Sequence, residues 1–269
     1  MPQYSNHNPL PAYDIHYSWI GWPTQNTFFP EVAPPDLFVN LAAAFRADEL
    51  ELESRKWNPK SIHLSFRAPP TLAPVWITQR AKGRLDHALR QAGTNTSFSR
   101  KVGLRAFGHN QTKRVEAYVR DQLKHIDLAD PRYRKTLASA AINNPTADLS
   151  VPVSSSHGRY WYNLHLVFVV AERYRIGNPA FLQQLRERIN TLCSDLECVL
   201  KRAAVMPDHL HIALKGNPKL SPSQIAVELQ NATAQVARCR LWDEKFYAGT
   251  FGEYDCGAID GSKGGIRQE

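Results

Sequence analysis

Cysteine is scarce in this sequence and unpatterned where it occurs. The four thiols, Cys193, Cys198, Cys239 and Cys256, show no CxxC spacing, and no N-terminal apolar segment is long enough for a signal peptide or a membrane span. These shortages turn the reading away from secreted and membrane classes, towards a reduced, cytoplasmic or nucleoid-associated protein with no membrane partner. Acidic residues are also in the minority, with 25 Asp+Glu against 33 Lys+Arg, a formal charge of +8 and a pI of about 9.4. That balance suits a polyanionic partner without identifying one. The 269 residues are enough for one large domain or two of ordinary size.

The most informative stretch is Met206 to Leu214. His209, His211 and Ala213 alternate with Leu210, Ile212 and Leu214, the two-residue period of a β-strand with both imidazoles on one face and aliphatic side chains on the other. Two neutral imidazoles one pleat apart can share a divalent ion if a third ligand arrives from elsewhere. A lone histidine on a strand is more often structural, so context has to carry the metal reading.

The rest of the chain supplies an internal repeat. Setting His63 against His211, an offset of 148, aligns Pro59 with Pro207, Leu64 with Ile212, Pro70 with Pro218, Pro74 with Pro222 and Ile77 with Ile225. Ala106-Phe107-Gly108 matches Thr250-Phe251-Gly252 at an offset of 144, the difference being a gap near Gly93. In the first copy, strands are expected over about 13–22, 49–57, 61–66 and 101–107, with helices starting near Asp36 and Pro74. Each copy reads strand, helix, strand, strand, helix, strand, the order of the ferredoxin-like split β-α-β motif. The expected fold is α+β: two tandem ferredoxin-like domains with antiparallel sheets, packed as an intramolecular pseudo-dimer. The expected boundaries are an N-terminal arm over 1–12, a first domain over 13–125, a linker over 126–158 without sustained periodicity, a second domain over 159–255, and a tail over 256–269.

Met206-Pro207-Asp208-His209-Leu210-His211, with an apolar run before it and Ser221-Pro222-Ser223 opening a helix after it, resembles the histidine-hydrophobic-histidine ("HUH") strand of the single-tyrosine transposases of the insertion-sequence and REP-associated families. The segment 161–175 (WYNLHLVFVVAERYR) is similar to that family's first strand. The resemblance covers residues 160 to 255.

The resemblance implies a homodimer-like arrangement in which a helix carrying a nucleophilic tyrosine and, four residues on, a Gln ligand serves the HUH strand of the other unit. The copies are unequal in this respect: the first has Ser61 where the second has His209, and the second runs into Gly-rich residues where the first continues through Gln111 to His125. Tyr118 and Gln122 fit the tyrosine pattern, and an i, i+4 spacing puts both on one helical face. A composite site is therefore expected, with Tyr118 as nucleophile and His209, His211 and Gln122 holding Mg²⁺ or Mn²⁺. The competing reading of Tyr118 is an aromatic packed beside Val115, Val119 and Leu123. Tyr247 and Tyr254 are alternative nucleophiles.

The implied substrate is single-stranded or hairpin DNA, cut through a 5′-phosphotyrosine and rejoined. A phenol, ionising near about 10, needs help to attack a phosphodiester. Lys215, Lys219, Arg238, Arg240, Lys245 and Arg105 are candidate phosphate contacts, and Trp242, Phe246, Tyr247 and Phe251 candidate stacking platforms. His165 and Asp208 stand near the site without a defined role. Two other classes remain open: a nucleic-acid-binding protein without catalysis, and a metal-dependent nuclease that uses water. With its dimer built in, the chain is expected to be a monomer.

Overall fold

The computed structural model describes residues 3–5, 10–94, 96–128, 130–156 and 158–253. The first half runs through β1 (Leu10–Asp14), β2 (His16–Pro23), α1 (Leu37–Ala47), β3 (Glu51–Asn58), β4 (Ser61–Arg67), α2 (Pro74–Gln91), β5 (Phe98–Phe107) and α3 (Thr112–Asp121). Between the halves lie α4 (Tyr133–Ala140), β6 (Ile142–Asn143) and β7 (Val153–Ser154). The second half follows as β8 (Gly158–Trp161), β9 (Asn163–Val170), α5 (Pro179–Asp195), β10 (Val199–Val205), β11 (His209–Lys215), α6 (Pro222–Ala237) and β12 (Trp242–Thr250).

Local chemistry sets the helix starts. Proline occupies the first turn of α2, α5 and α6, where its missing N–H has no helical partner to lose. Ser221 and Gln224 form a reciprocal capping box on α6, satisfying two otherwise orphaned donors. In α2, Ile77, Ala81, Leu85 and Leu89 recur at helical spacing and are all buried, which fixes the face laid on the sheet.

Two six-stranded sheets result, ordered β3-β4-β2-β5-β8-β7 and β1-β12-β9-β11-β10-β6. Within them, β3-β4-β2-β5 and β10-β11-β9-β12 are antiparallel throughout and have the same order, as expected for two tandem split β-α-β units. The register repeats too: Trp19 lies between Leu64 and Leu104, and Leu166 between Ile212 and Ala248.

The strand leading into each unit pairs, in parallel, with the last strand of the other. Asp14 of β1 lies opposite Gly249 of β12, and Trp161 of β8 opposite Arg105 of β5. Where these paths cross, a Cβ on Gly108 would stand 2.2 Å from the Thr250 carbonyl oxygen, and one on Gly252 would stand 2.8 Å from that of Ala106. The Thr250 hydroxyl donates to the Phe107 carbonyl at 2.6 Å and accepts from the His16 N–H at 2.8 Å.

This crossing carries α3 onto the open face of the second sheet, where Val115 and Val119 pack with Ala204, Met206, Ala213 and Phe251. At ten residues, α3 is shorter than the roughly 12–15 that an isolated helix needs in water. Docking on the other half holds it helical.

Three features depart from the sequence expectations. The first strand, expected over 13–22, is divided at Ile15 because Leu10–Asp14 belongs to the other sheet. The arm is anchored before that: Tyr4 is buried and its hydroxyl donates to the Trp242 carbonyl at 2.8 Å, while Asn231 bonds the Tyr4 backbone. The joining segment carries α4, whose Leu137 and Ala140 are buried, and buries Ile142 and Leu149 beyond it. The tail over 256–269 lies outside the described residues.

The two kinds of glycine give opposite expectations. Gly108→Ala forces a methyl against backbone and should cost about 1–3 kcal/mol as overpacking. Gly83→Ala, in exposed α2 surface with nothing within 4 Å, should instead stabilise by about 0.5–1 kcal/mol. Urea midpoints of the two variants moving in the same direction would contradict this account.

Candidate active site

The second sheet has a helix-covered face, with Leu164, Leu166, Phe168, Leu210, Ile212 and Leu214 at 1 % exposure or less, and a second face that carries polar groups. On that second face β9 contributes His165, β11 contributes His209 and His211, and β12 contributes Tyr247. Their adjacency follows from register, because His211 is opposite Val167, and Val167 in turn is opposite Tyr247.

The rings form one cluster. His209 and His211 have centroids 4.9 Å apart, edge to face, and His165 stacks on His211 at 5.4 Å. The Tyr118 ring, arriving on α3 from the first half, stands edge-on to His211 at 5.3 Å and to His165 at 5.9 Å. Tyr118 is half-exposed. One turn later Gln122 is buried, and its amide nitrogen donates to the Tyr118 carbonyl at 3.1 Å. The structure therefore brings Tyr118 to the His-x-His strand, while Gln122 opens a short 3-10 turn after α3 and its side chain bonds back to the Tyr118 carbonyl.

The histidines are oriented by partners. His209 Nδ1 donates to Asp208 Oδ1 at 2.7 Å, since an ionised carboxylate only accepts. In the Nδ1–H tautomer this leaves Nε2 as the ring nitrogen that offers a lone pair. Asp208 is itself held by Arg173 Nη1 at 3.2 Å, from a turn in which Glu172 and Arg173 both adopt left-handed backbone. His211 Nδ1 is 3.1 Å from His165 Nε2, which likewise commits one ring nitrogen and directs the other away. Burial pushes the Asp208 carboxyl up, but its hydrogen bond and charge interaction with His209, and its bond to Arg173, outweigh this and hold it below the usual range.

Burial also sets the protonation of the two inner imidazoles. It pushes His165 down to about 4, and His211 down to about 3 with help from the neighbouring His165 and His209. Both are neutral at pH 7, the state a metal ligand requires.

Tyr247 also faces the cluster, its ring 5.8 Å from His165. Its hydroxyl folds back over Gly249, and burial, then the Asp14 charge, raises its pKa above the ordinary phenol value. Tyr118 is the more exposed of the two phenols. Tyr254 lies outside the described residues.

The candidate DNA contacts fare unevenly. Lys215 is buried and donates to the carbonyls of Asp148 and Val151 at 3.0 Å each, so its ammonium is committed to the joining segment. Arg240 pairs with Glu244 at 2.7 Å. Arg238, at the end of α6, Lys219 and Lys245 are exposed. Arg105 lies over the Trp161 ring at 4.8 Å. Three of the four stacking candidates are core: Trp242, Phe246 and Phe251 are 1–3 % exposed, because the β12 period turns them inward or under α3. Only Tyr247 keeps an accessible ring.

Residues 159–260 match the family model of the IS200-like transposases. The match supports a transposase-like, DNA-processing function, in a family that generally uses a divalent metal. It contains the His-x-His strand, His165 and Tyr247, and excludes Tyr118 and Gln122, which lie on α3 of the first half. No curated protein matches the chain. Among the described residues, no helix is long and apolar enough to cross a membrane.

Asp208, Arg173 and His165 carry orienting roles that the sequence left unassigned. The signal for Asp208 was its place directly before His209. A further cluster, Asp14, His16 and His109, brings three possible ligand atoms within 4.8 Å of one another, from positions that no local motif connects.

A pH dependence follows from the two depressed imidazoles. Unfolded histidine titrates near about 6.5, so between that pH and the native values of about 4 and about 3 the unfolded chain binds more protons. Stability from these groups is present above about pH 6.5 and is lost as pH falls. In metal-free protein the urea midpoint should drop between pH 7.5 and 5, with a shallower slope in His165→Phe. Parallel curves for wild type and variant would refute the assignment.

Proposed function

We propose that the chain nicks and rejoins single-stranded or hairpin DNA at one composite site, with Tyr118 of the first half as nucleophile and His209, His211 and Gln122 as ligands of a Mg²⁺ or Mn²⁺ ion. The observation that carries this reading is the Tyr118 ring standing 5.3 Å from that of His211, across the boundary between the repeats. The donor set suits such an ion: two imidazoles with Nδ1 already engaged, and an amide whose nitrogen is bonded, leaving oxygen as the ligand atom. When bound, the ion polarises a non-bridging phosphate oxygen and offsets charge developing there.

The Tyr118 oxygen attacks phosphorus, its proton passing to solvent. The P–O3′ bond breaks, and the departing O3′ takes a proton to become a free 3′-hydroxyl. The product is a 5′-phosphotyrosyl linkage, which preserves the phosphodiester so that a 3′-hydroxyl can reverse the step without ATP. Asp208 and His165 keep the imidazoles in register for this. Arg238, Lys219 and Lys245 supply exposed positive charge for the backbone.

The chain acts as a fused pseudo-dimer, with units over 13–125 and 159–255, a monomer in solution and a DNA-bound protein of the nucleoid. The reciprocal pairing of β1 with β12 and β8 with β5 supports it.

Incubation with single-stranded oligonucleotides and Mn²⁺, followed by denaturing electrophoresis, should give a covalent DNA adduct that Tyr118→Phe abolishes and Tyr247→Phe retains. Asp208→Asn should raise the Mn²⁺ needed for half-maximal cleavage about 10–100-fold. Cleavage that survives Tyr118→Phe would indicate a water-using nuclease, and retention of DNA without cleavage a binding protein. A stable dimer by light scattering would count against the fused pseudo-dimer.

A further inference from the structure

Asp14, His16 and His109 meet where the two halves exchange strands. His16 opens β2, Asp14 ends β1 in the other sheet, and His109 sits in the turn after β5. His16 is only 8 % exposed, yet each of its ring nitrogens faces a carboxylate oxygen: Nδ1 lies 2.9 Å from Glu53 Oε2 and Nε2 lies 2.9 Å from Asp14 Oδ1. A neutral imidazole donates from one nitrogen only. With Glu53 accepting Nδ1–H, the Nε2 position facing Asp14 Oδ1 must hold either a second ring proton or a metal ion. His109 Nδ1 faces the other oxygen of the same carboxylate, Asp14 Oδ2, at 3.0 Å.

We infer that Asp14, His16 and His109 form a second divalent-cation site, suited to zinc, that fastens the strand exchange between the two halves. Two imidazoles and one carboxylate are a zinc donor set that leaves a fourth position for water. Glu53 on the far nitrogen of His16 completes the carboxylate–histidine–metal arrangement that fixes tautomer and ring orientation. A tetrahedral ion with bonds near 2.0–2.1 Å sets its ligands about 3.3 Å apart, so the 2.9 Å contact of His16 with Asp14 widens by a few tenths of an ångström and His109, its ligand atom within 4.8 Å of the others, adjusts around the ion. His109, with 80 % of its side chain exposed, has the freedom to do so.

Among the described residues the site occurs once. At the repeat-related positions the second half has Trp161 for Asp14, Asn163 for His16, Glu253 for His109 and Lys201 for Glu53. There Lys201 donates to the Ala147 carbonyl at 2.7 Å, and the Asn163 amide to that of Leu149 at 3.3 Å. A cation side chain stands where the first half offers a carboxylate. The inference is independent of the nicking reaction, because none of its four residues belongs to the Tyr118 cluster.

The test starts from the H209A/H211A protein, stripped with EDTA and titrated with zinc against a chromophoric chelator. One tight equivalent per chain is expected, together with a higher thermal midpoint once zinc is bound. H109A, at an exposed position that leaves the core intact, should remove that equivalent, and E53Q should weaken it about 10–100-fold. Circular dichroism verifies that both variants are folded. No tight equivalent in H209A/H211A, or one that H109A and E53Q leave unchanged, would overturn the proposal and leave the cluster as an ion pair held together by a proton.

Discussion

Two strand ends approach so closely that neither has room for a side chain at its turn, and the rest of the molecule depends on that approach. Gly108 faces the Thr250 carbonyl and Gly252 faces that of Ala106, with the Thr250 hydroxyl knitting His16 to Phe107 between them. Because β5 ends against β12, the chain that follows cannot fold back on its own sheet. It continues across the second sheet as α3, and Val115 and Val119 bury there, each burial stabilising by about 1.5–3 kcal/mol at most. The position of Tyr118 against His211 is thus a consequence of backbone packing some ten residues earlier. A tyrosine helix placed by a flexible tether would lack this fixed relation to the histidines, and fixed relation is what a near-attack geometry demands.

The cluster is also electrically consistent. Burial keeps His165 and His211 neutral, and the carboxylate of Asp208 keeps His209 in the tautomer that presents Nε2. An imidazole charged at neutral pH would repel a divalent ion, so on the proposed reading the desolvation that costs stability in acid is the same property that suits the histidines to a metal. The cost is local: it falls on the face of the sheet where α3 leaves an opening, while the opposite face is closed by α5 and α6.

Much of the architecture was legible because it repeats. Prolines at matching offsets, the His63 and His211 strands and the Phe-Gly turns defined two copies of one motif, and the alternation over 209–214 gave the β11 faces correctly. What was not legible depends on pairing at long range. Nothing local in Leu10–Asp14 says that it joins the sheet of the second half, since the strand it matches lies more than 230 residues away. Asp14, His16 and His109 are likewise unremarkable until that exchange brings them together. Charge was a poor guide for a related reason: Lys215 continues the face of His209 and His211, yet the joining segment folds over it and its Asp148 and Val151 carbonyls accept from the ammonium.

The inequality of the halves has a physical reading in the same terms. The face of the first sheet that corresponds to the histidine face of the second holds Ser61, His63 and Ser65, all 3–4 % exposed, with the Ser61 hydroxyl 3.3 Å from His63 Nε2. That face is closed to any substrate, whereas His209 and Tyr118 remain accessible in the second. In a dimer of identical chains, a substitution such as His to Ser would remove both sites at once. In a tandem chain it removes one, and the emptied face becomes available for packing. On the proposed reading, one surviving site is enough to cut a strand and reseal it, since the phosphotyrosyl bond stores what the reverse step needs, but it cannot make the paired cuts that exchange two strands symmetrically. On that reading the first half keeps His63 alone on a buried strand together with the helix that sets Tyr118 against the histidines of the other sheet.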